Sequence, residues 1–427
     1  MLTPKINTVS LSLIDALTSN TAIVIYLFLV LSIIAVLVIS VILKETKEEN
    51  NEKNSISTAA GEESEESAPE RFYMLSTIDA RKNNYGHKKY AQNVTLAELC
   101  DEFRNYAASK LGLYYDIDDI RRFISGMAVS HILILQGMSG TGKTSLAHAF
   151  GSFMDNSSTI IPVQPMWKER TDLIGYYNEF TKRFNETLLL EKMYEANYSK
   201  DIYITVLDEM NIARVEYYFA EFLSLLELPN PEERYIDVVS DKWENDPSQL
   251  KDGRIKLPPN MWFIGTANND DSTFAISDKV YDRAMVLNLD KKSDRFAAPM
   301  TAKMNISAEQ FNKLAKNAEK EFKISQRNRN RLEQLDKYLI KHFHITFGNR
   351  IMKQIFTYIP VYIACGGDEL DALDDILSKK VFRKLETQNP IYLRNSVDGL
   401  IAFIDQLFGK NNLTLCREAI FRIQRNA

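Results

Sequence analysis

GMSGTGKTS, residues 137–145, is the stretch whose reading decides the fold. It contains the spacing G-x-x-x-x-G-K-[ST]. ILILQ, residues 132–136, precedes it as an apolar run that reads as a buried strand, and residues 145–150 read as a helix. Strand, glycine-rich loop and helix in that order make a cradle for phosphate. Gly137, Gly140 and Gly142 let the backbone approach phosphate oxygens and take positive φ without steric cost. The loop N–H groups and the helix N-terminus then face the anion. The phosphate-binding candidates are Gly137, Met138, Ser139, Gly140, Thr141, Gly142, Lys143, Thr144 and Ser145. Among them, Lys143 is suited to the β- and γ-phosphates of a nucleotide, and the Thr144 hydroxyl to Mg²⁺.

Toward the C-terminus, residues 159–163 read as a second strand and residues 201–207 (DIYITVL) as a third, ending in Asp208-Glu209. An apolar strand ending in two acids downstream of a phosphate loop suits metal-assisted phosphoryl chemistry. Asp208 organises Mg²⁺ through water, and Glu209 polarises the attacking water as general base. A helix is expected over residues 211–228, a hairpin from 235–240 and 254–257, and a fourth core strand over 261–266 (MWFIGT). Asn268, just beyond that strand, is a candidate for orienting water beside the γ-phosphate. Further helices are expected over 308–322, 327–341, 350–364, 391–409 and 415–426. Strands and helices alternate up to residue 289, and only helices follow. That order predicts an α/β fold with a parallel core, residues 116–290, and a helical lid, residues 291–427. Residues 95–111 and 116–127 are amphipathic helices on their spacing, and residues 71–115 form a helical lead-in.

The N-terminal part has another character. A polar segment, residues 1–20, precedes residues 21–43 (TAIVIYLFLVLSIIAVLVISVIL), which hold no charged residue. At ~1.5 Å per residue a helix of this run is roughly 34 Å long, enough for a bilayer core. It ends in KETKE with no small-residue cleavage site, so a retained anchor is expected rather than a signal peptide. Lys44, Lys47 and Lys53 follow it, while Lys5 and the amino terminus precede it. The positive-inside rule then places the following domains in the cytoplasm, single-pass at the cell membrane. Residues 44–70 hold nine Glu against three Lys and almost no large apolar side chain, which reads as a disordered acidic tether. The net charge of −5 is therefore set by the tether, and the rest is close to neutral. That balance gives no support for direct nucleic-acid binding. Cys100, Cys365 and Cys416 lie far apart and form no metal or disulfide pattern, and the five histidines form no ligand cluster.

Several stretches are similar to AAA+ ATPases of the McrB group, in the helix-2-insert clade related to MoxR-type ATPases. They are DIDDIRRFISG (116–126), VQPMWKERTDLIGYYNEF (163–180), DEMNIARVEYYFAEFLSLLE (208–227) and LPPNMWFIGTANNDDSTFAISDKVYDRA (257–284). FGNRIMKQI (347–355) and LDALDDILSKKVFRKL (370–385) resemble that group's lid, so the likeness covers roughly residues 115–390. It implies a P-loop AAA+ core with Walker A at 137–145 and Walker B at Asp208-Glu209. It places Asn268 at sensor 1, Arg283 at an arginine finger that reaches a neighbouring subunit, and Arg350 at sensor 2 on the nucleotide. The planar fork of an arginine suits phosphate oxygens at both places. Read without the likeness, Arg283 pairs with Asp278 or Asp282 in its own chain and Arg350 is a surface charge. Residues 172–184 fall in the group's insert, which forms a ring-surface or pore element. The group carries Met-Asn-x-x-Asp-Arg after sensor 1, whereas this chain reads ANNDDS, keeping an acid at Asp271 and lacking the arginine.

Together these readings describe a membrane-anchored nucleoside triphosphatase, ATP or GTP with Mg²⁺, in a hexameric homo-oligomeric ring. Its output is remodelling of an unidentified protein partner. Two other readings compete: a motor subunit of a restriction or phage-defence complex that acts on DNA through a partner, and a nucleotide-gated scaffold with little turnover.

Overall fold

The computed structural model describes residues 70–85, 88–268 and 273–426. The apolar run 21–43, the tether up to residue 69 and Asp271 lie outside the described residues. Among the described residues, no helix is long and apolar enough to cross a membrane.

Among the described residues, nine strands form: β1 (Ile132–Gly137), β2 (Thr159–Pro162), β3 (Gly175–Asn178), β4 (Arg183–Glu186), β5 (Tyr203–Asp208), β6 (Tyr235–Asp237), β7 (Arg254–Lys256), β8 (Met261–Asn268) and β9 (Met285–Asn288). The helices of the first half are α1 (Met74–Ala80), α2 (Leu96–Leu111), α3 (Ile117–Val129), α4 (Lys143–Phe153), α5 (Thr171–Ile174), α6 (Leu188–Ala196), α7 (Val215–Tyr218), α8 (Ala220–Leu225) and α9 (Asp278–Tyr281). Those of the second half are α10 (Ala308–Glu321), α11 (Gln326–Phe343), α12 (Gly348–Ala364), α13 (Glu369–Lys380), α14 (Pro390–Phe408) and α15 (Thr414–Asn426).

The central sheet has the order β2-β5-β8-β1-β9, and every pairing in it is parallel. Parallel strands need helical crossovers on both faces, so both faces are buried. Alternation along the strands sorts the side chains into two cores. Leu133, Leu135, Trp262, Ile264 and Leu287 enter one, which also holds Phe311, Leu335, Tyr358 and Leu377 of the second-half helices. Ile132, Ile134, Met261 and Phe263 enter the other, with Phe219 and Phe222. The second-half helices thus share a core with one face of the sheet.

Local chemistry fixes several elements. Thr95 and Glu98 form a reciprocal capping box that starts α2. Asn389 caps α14, with Pro390 at its first turn. The hairpin β6–β7 forms where the sequence predicts one. β9 and the insert hairpin β3–β4 were not among the expected strands; each is a four-residue run, too short to carry a periodic signal.

The single helix expected over residues 211–228 is corrected. A 3₁₀ turn, Met210–Ile212, comes first. Arg214 is then extended, and α7 and α8 follow with a bend at Phe219. The cause is side-chain bonding. The Asn211 amide donates to the carbonyls of Asn268 (2.9 Å) and Phe274 (3.3 Å). The Tyr218 hydroxyl donates to the Met210 carbonyl at 2.9 Å. These bonds pin the chain to the end of β8 before a helix can begin. All three cysteines are free and buried, with no disulfide among them; Cys100 and Cys365, distant in sequence, meet as buried thiols, and burial together with that contact pushes the Cys100 thiol well up.

Candidate functional site

The phosphate loop bridges β1 and α4. Gly137 has φ 147°, and a Cβ there would strike the backbone carbonyl of Leu289. Gly142 has φ 91°, and a Cβ there would sit 3.2 Å from the Tyr115 hydroxyl. Both positions therefore require glycine. Tyr115, buried ahead of α3, donates to the Gly142 carbonyl at 3.0 Å and props the loop from below. The Lys143 ammonium, buried, donates to the carbonyls of Gly137 (3.0 Å) and Met138 (2.8 Å). Met138, Ser139 and Gly140 are exposed at the loop tip, Thr141 donates to the Met138 carbonyl at 3.0 Å, and Ser145 follows in the first turn of α4.

Adjacent strands end together here. Gly137 of β1 stands in register with Asn268 of β8, and Leu207 of β5 with Gly265 of β8. Asp208 thus emerges beside Thr266. The Thr144 hydroxyl donates to Asp208 Oδ1 at 2.7 Å. The Thr266 hydroxyl donates to the same oxygen at 2.8 Å and accepts the Glu209 backbone N–H at 2.8 Å. Glu209 sits at φ 52°, ψ 46°, in the left-handed region. For a residue with a Cβ this costs of order 1–3 kcal/mol and persists only where its surroundings hold it. Here Thr266 holds it, and the Glu209 side chain stands exposed next to the half-buried Asp208.

Thr144, Asp208 and Thr266 are hard oxygen donors around one point, which suits a small divalent cation that also takes phosphate and water ligands. Among the described residues no group of three or more His, Cys, Asp or Glu forms a self-sufficient metal cage. The donor set therefore fits Mg²⁺ brought with a phosphate ligand, as the sequence reading assigned to Thr144 and Asp208.

Asn268 lies at the C-terminal end of β8, beside Gly137, with its carbonyl held by Asn211 and by the Thr273 hydroxyl at 3.1 Å. Sequence reasoning missed Thr266, Asn211 and Tyr115. Thr266 was recoverable: two residues before Asn268 on one strand, it faces the same side.

Arg283 and Arg350 do not join this cluster. β9 runs parallel to β1 with Met285 opposite Leu133, and the Ser130 hydroxyl, just before β1, donates to the Arg283 carbonyl at 2.8 Å. Arg283 therefore sits where β1 begins, five or so residues and roughly 17 Å along the strand from the phosphate loop. Its guanidinium bonds Glu227 at 2.7 Å and the Lys279 carbonyl at 2.8 Å. Arg350 bonds the other oxygen of the same carboxylate at 2.5 Å. The expected partners Asp278 and Asp282 are taken instead by Arg383 (2.7 Å) and Lys384 (3.7 Å). Arg350, expected on the nucleotide, thus shares the Glu227 carboxylate with Arg283 in this structure.

With this geometry in hand, two family models match the chain. Residues 132–284 match an AAA domain of the dynein-related subfamily, a span that runs from β1 through Arg283. Residues 300–427 match a domain of unknown function, DUF8727, and cover α10 to α15. No curated protein matches the chain. Among solved structures, one described as a "putative ATPase" from Cytophaga hutchinsonii is 14% identical, with TM-score 0.45, covering 77% of this chain and 97% of that one. A full-length MCM homolog from Methanopyrus kandleri is 9% identical, with TM-score 0.37, covering 67% of this chain and 60% of that one.

Proposed function

We propose, from an AAA domain spanning residues 132–284, that this chain is a membrane-anchored AAA+ nucleoside triphosphatase of McrB-like kinship. It hydrolyses ATP, or GTP, and uses the energy to remodel a protein partner at the cytoplasmic face. One observation carries the catalytic reading. A single hydroxyl, that of Thr266, fixes Asp208 and holds Glu209 in a strained backbone conformation, while Asp208 also receives the hydroxyl of Thr144 from the phosphate loop.

In this reading Lys143 exchanges its bonds to the loop carbonyls for phosphate oxygens. Bound Mg²⁺ would be held by Thr144 and Asp208 and would neutralise phosphate charge. The exposed Glu209 carboxylate accepts a proton from the attacking water, and Asn268 orients that water. Arg283 sits where β1 begins, roughly 17 Å along the strand from its own phosphate loop. It serves the site of a neighbouring copy, which is the argument for a ring, and Arg350 of the lid serves as sensor 2 on the nucleotide. The anchor is residues 21–43.

The test is turnover of ATP and GTP by the full-length chain. Glu209→Gln is expected to lower kcat by about 10²-fold or more while leaving nucleotide affinity within threefold. Unchanged turnover in that variant removes Glu209 from the chemistry, whereas negligible turnover by the unaltered chain leaves the scaffold reading in its place.

A further inference from the structure

The segment that carries Arg283 is held by side chains at each of four successive carbonyls. Ser130 takes that of Arg283, as described. The other three belong to one residue. Lys380, the last residue of α13 and buried, donates to the carbonyls of Tyr281 (2.7 Å) and Ala284, with Asp282 at 3.5 Å. These carbonyls lie at the last residue of α9 and in the turn and bend that follow it, where a helix end leaves its carbonyls without intrahelical partners. An ammonium has three donors and needs no acceptor, so it fits a cage of backbone oxygens that a neutral side chain cannot fill. Gln354 of α12 donates to the Asp282 carbonyl as well, at 3.1 Å. Arg383, just beyond α13, pairs with Asp278 and stacks over the Tyr281 ring at 4.1 Å. Every one of these contacts except Ser130 comes from the second-half helices, and α12 also carries Arg350 one turn before Gln354.

We propose that Lys380 is the positioning residue for Arg283, fastening its backbone to the helical part of the same chain so that the two move as one body. The inference rests on the reading that Arg283 serves a neighbouring copy's phosphate. Its consequence is directional. When nucleotide binding shifts the second-half helices of one chain, Arg283 shifts with them, and the effect appears at the next chain's site.

The experiment mixes two full-length variants. Lys143→Ala cannot hold nucleotide but can donate Arg283; Arg283→Ala holds nucleotide but donates nothing. Each alone is expected to be inactive, and the mixture to regain turnover. Lys380→Met is then added to one partner at a time. In the Lys143→Ala donor it is expected to cut the regained turnover at least tenfold. In the Arg283→Ala acceptor, where its charge has no arginine to place, it is expected to change turnover less than twofold. Equal loss in both positions, or no loss in either, overturns the role of Lys380. Failure of the mixture to regain turnover before Lys380 is touched overturns the Arg283 reading instead. Lys380→Gln, which keeps two donors, serves where the methionine variant does not fold, and the same asymmetry decides.

Discussion

At the scale of the residue, the site depends on hydroxyls as much as on charges. Thr266 Oγ1 joins Asp208 to the Glu209 backbone with two bonds of 2.8 Å, and it is 2% exposed, so water cannot replace it. Thr266→Val keeps the shape and removes the hydroxyl. The Glu209 N–H is left without its partner, a loss of about 1–3 kcal/mol when such a group is buried, and the strained backbone loses its restraint. Turnover is expected to fall about 10- to 100-fold, since each 1.36 kcal/mol is tenfold in rate. Thr266→Ser should recover it to within threefold. Steady-state kinetics beside a thermal melt separates the cases: a lowered melting temperature with normal kcat means Thr266 serves only folding.

At the scale of the element, the start of β1 is tied to β8 by an aromatic pair. His131 stacks on Trp262 with ring centroids 4.7 Å apart, and its Nδ1 lies 3.0 Å from the Met261 carbonyl. Burial pushes the imidazole down from its ordinary 6.5 to about 4; the bond to Met261 opposes this and Arg234 adds to it. The sign follows from linkage. The unfolded chain binds a proton near pH 6.5, and the folded chain does not until about pH 4. Stability therefore falls as pH drops through that window. Between pH 7 and pH 5 the loss from this residue should be about 1–2 kcal/mol. Urea titrations of wild type and His131→Phe check it: the phenylalanine variant should lose less stability over the same interval, and identical slopes refute the assignment.

At the scale of the whole molecule, the two cores divide the labour. One joins the helices α10 to α15 to a face of the sheet, and the other packs α7, α8 and the insert hairpin on the opposite face. The phosphate loop and acids lie at one end of the strands, and Arg283 with Arg350 at the other, both on Glu227. In the proposed reading, a chain built this way completes its site beside another copy. The proposed membrane anchor belongs to this scale too. Deleting residues 21–43 should move the protein from the membrane pellet to the supernatant after ultracentrifugation, with folding of the rest unchanged; retention in the pellet removes the anchor from the proposal.

Much of this was legible in the residues themselves. The phosphate loop, the strand ending in Asp208-Glu209 and the polar Asn268 are local signals, because each is a spacing along a few residues that backbone geometry forces into one form. The order of strands and helices likewise fixed the parallel sheet class. What tertiary structure alone decided was which distant groups meet. The Thr266 bridge needs the lateral register of β5 and β8. The break after Glu209 needs Asn211 to find the end of β8. The pairing of Arg283 and Arg350 on Glu227, and the burial of Lys380 under α9, need helices far apart along the chain to pack against one another. None of these is a spacing in sequence, since each joins residues far apart along the chain whose contact exists only once the sheet and its helices have packed.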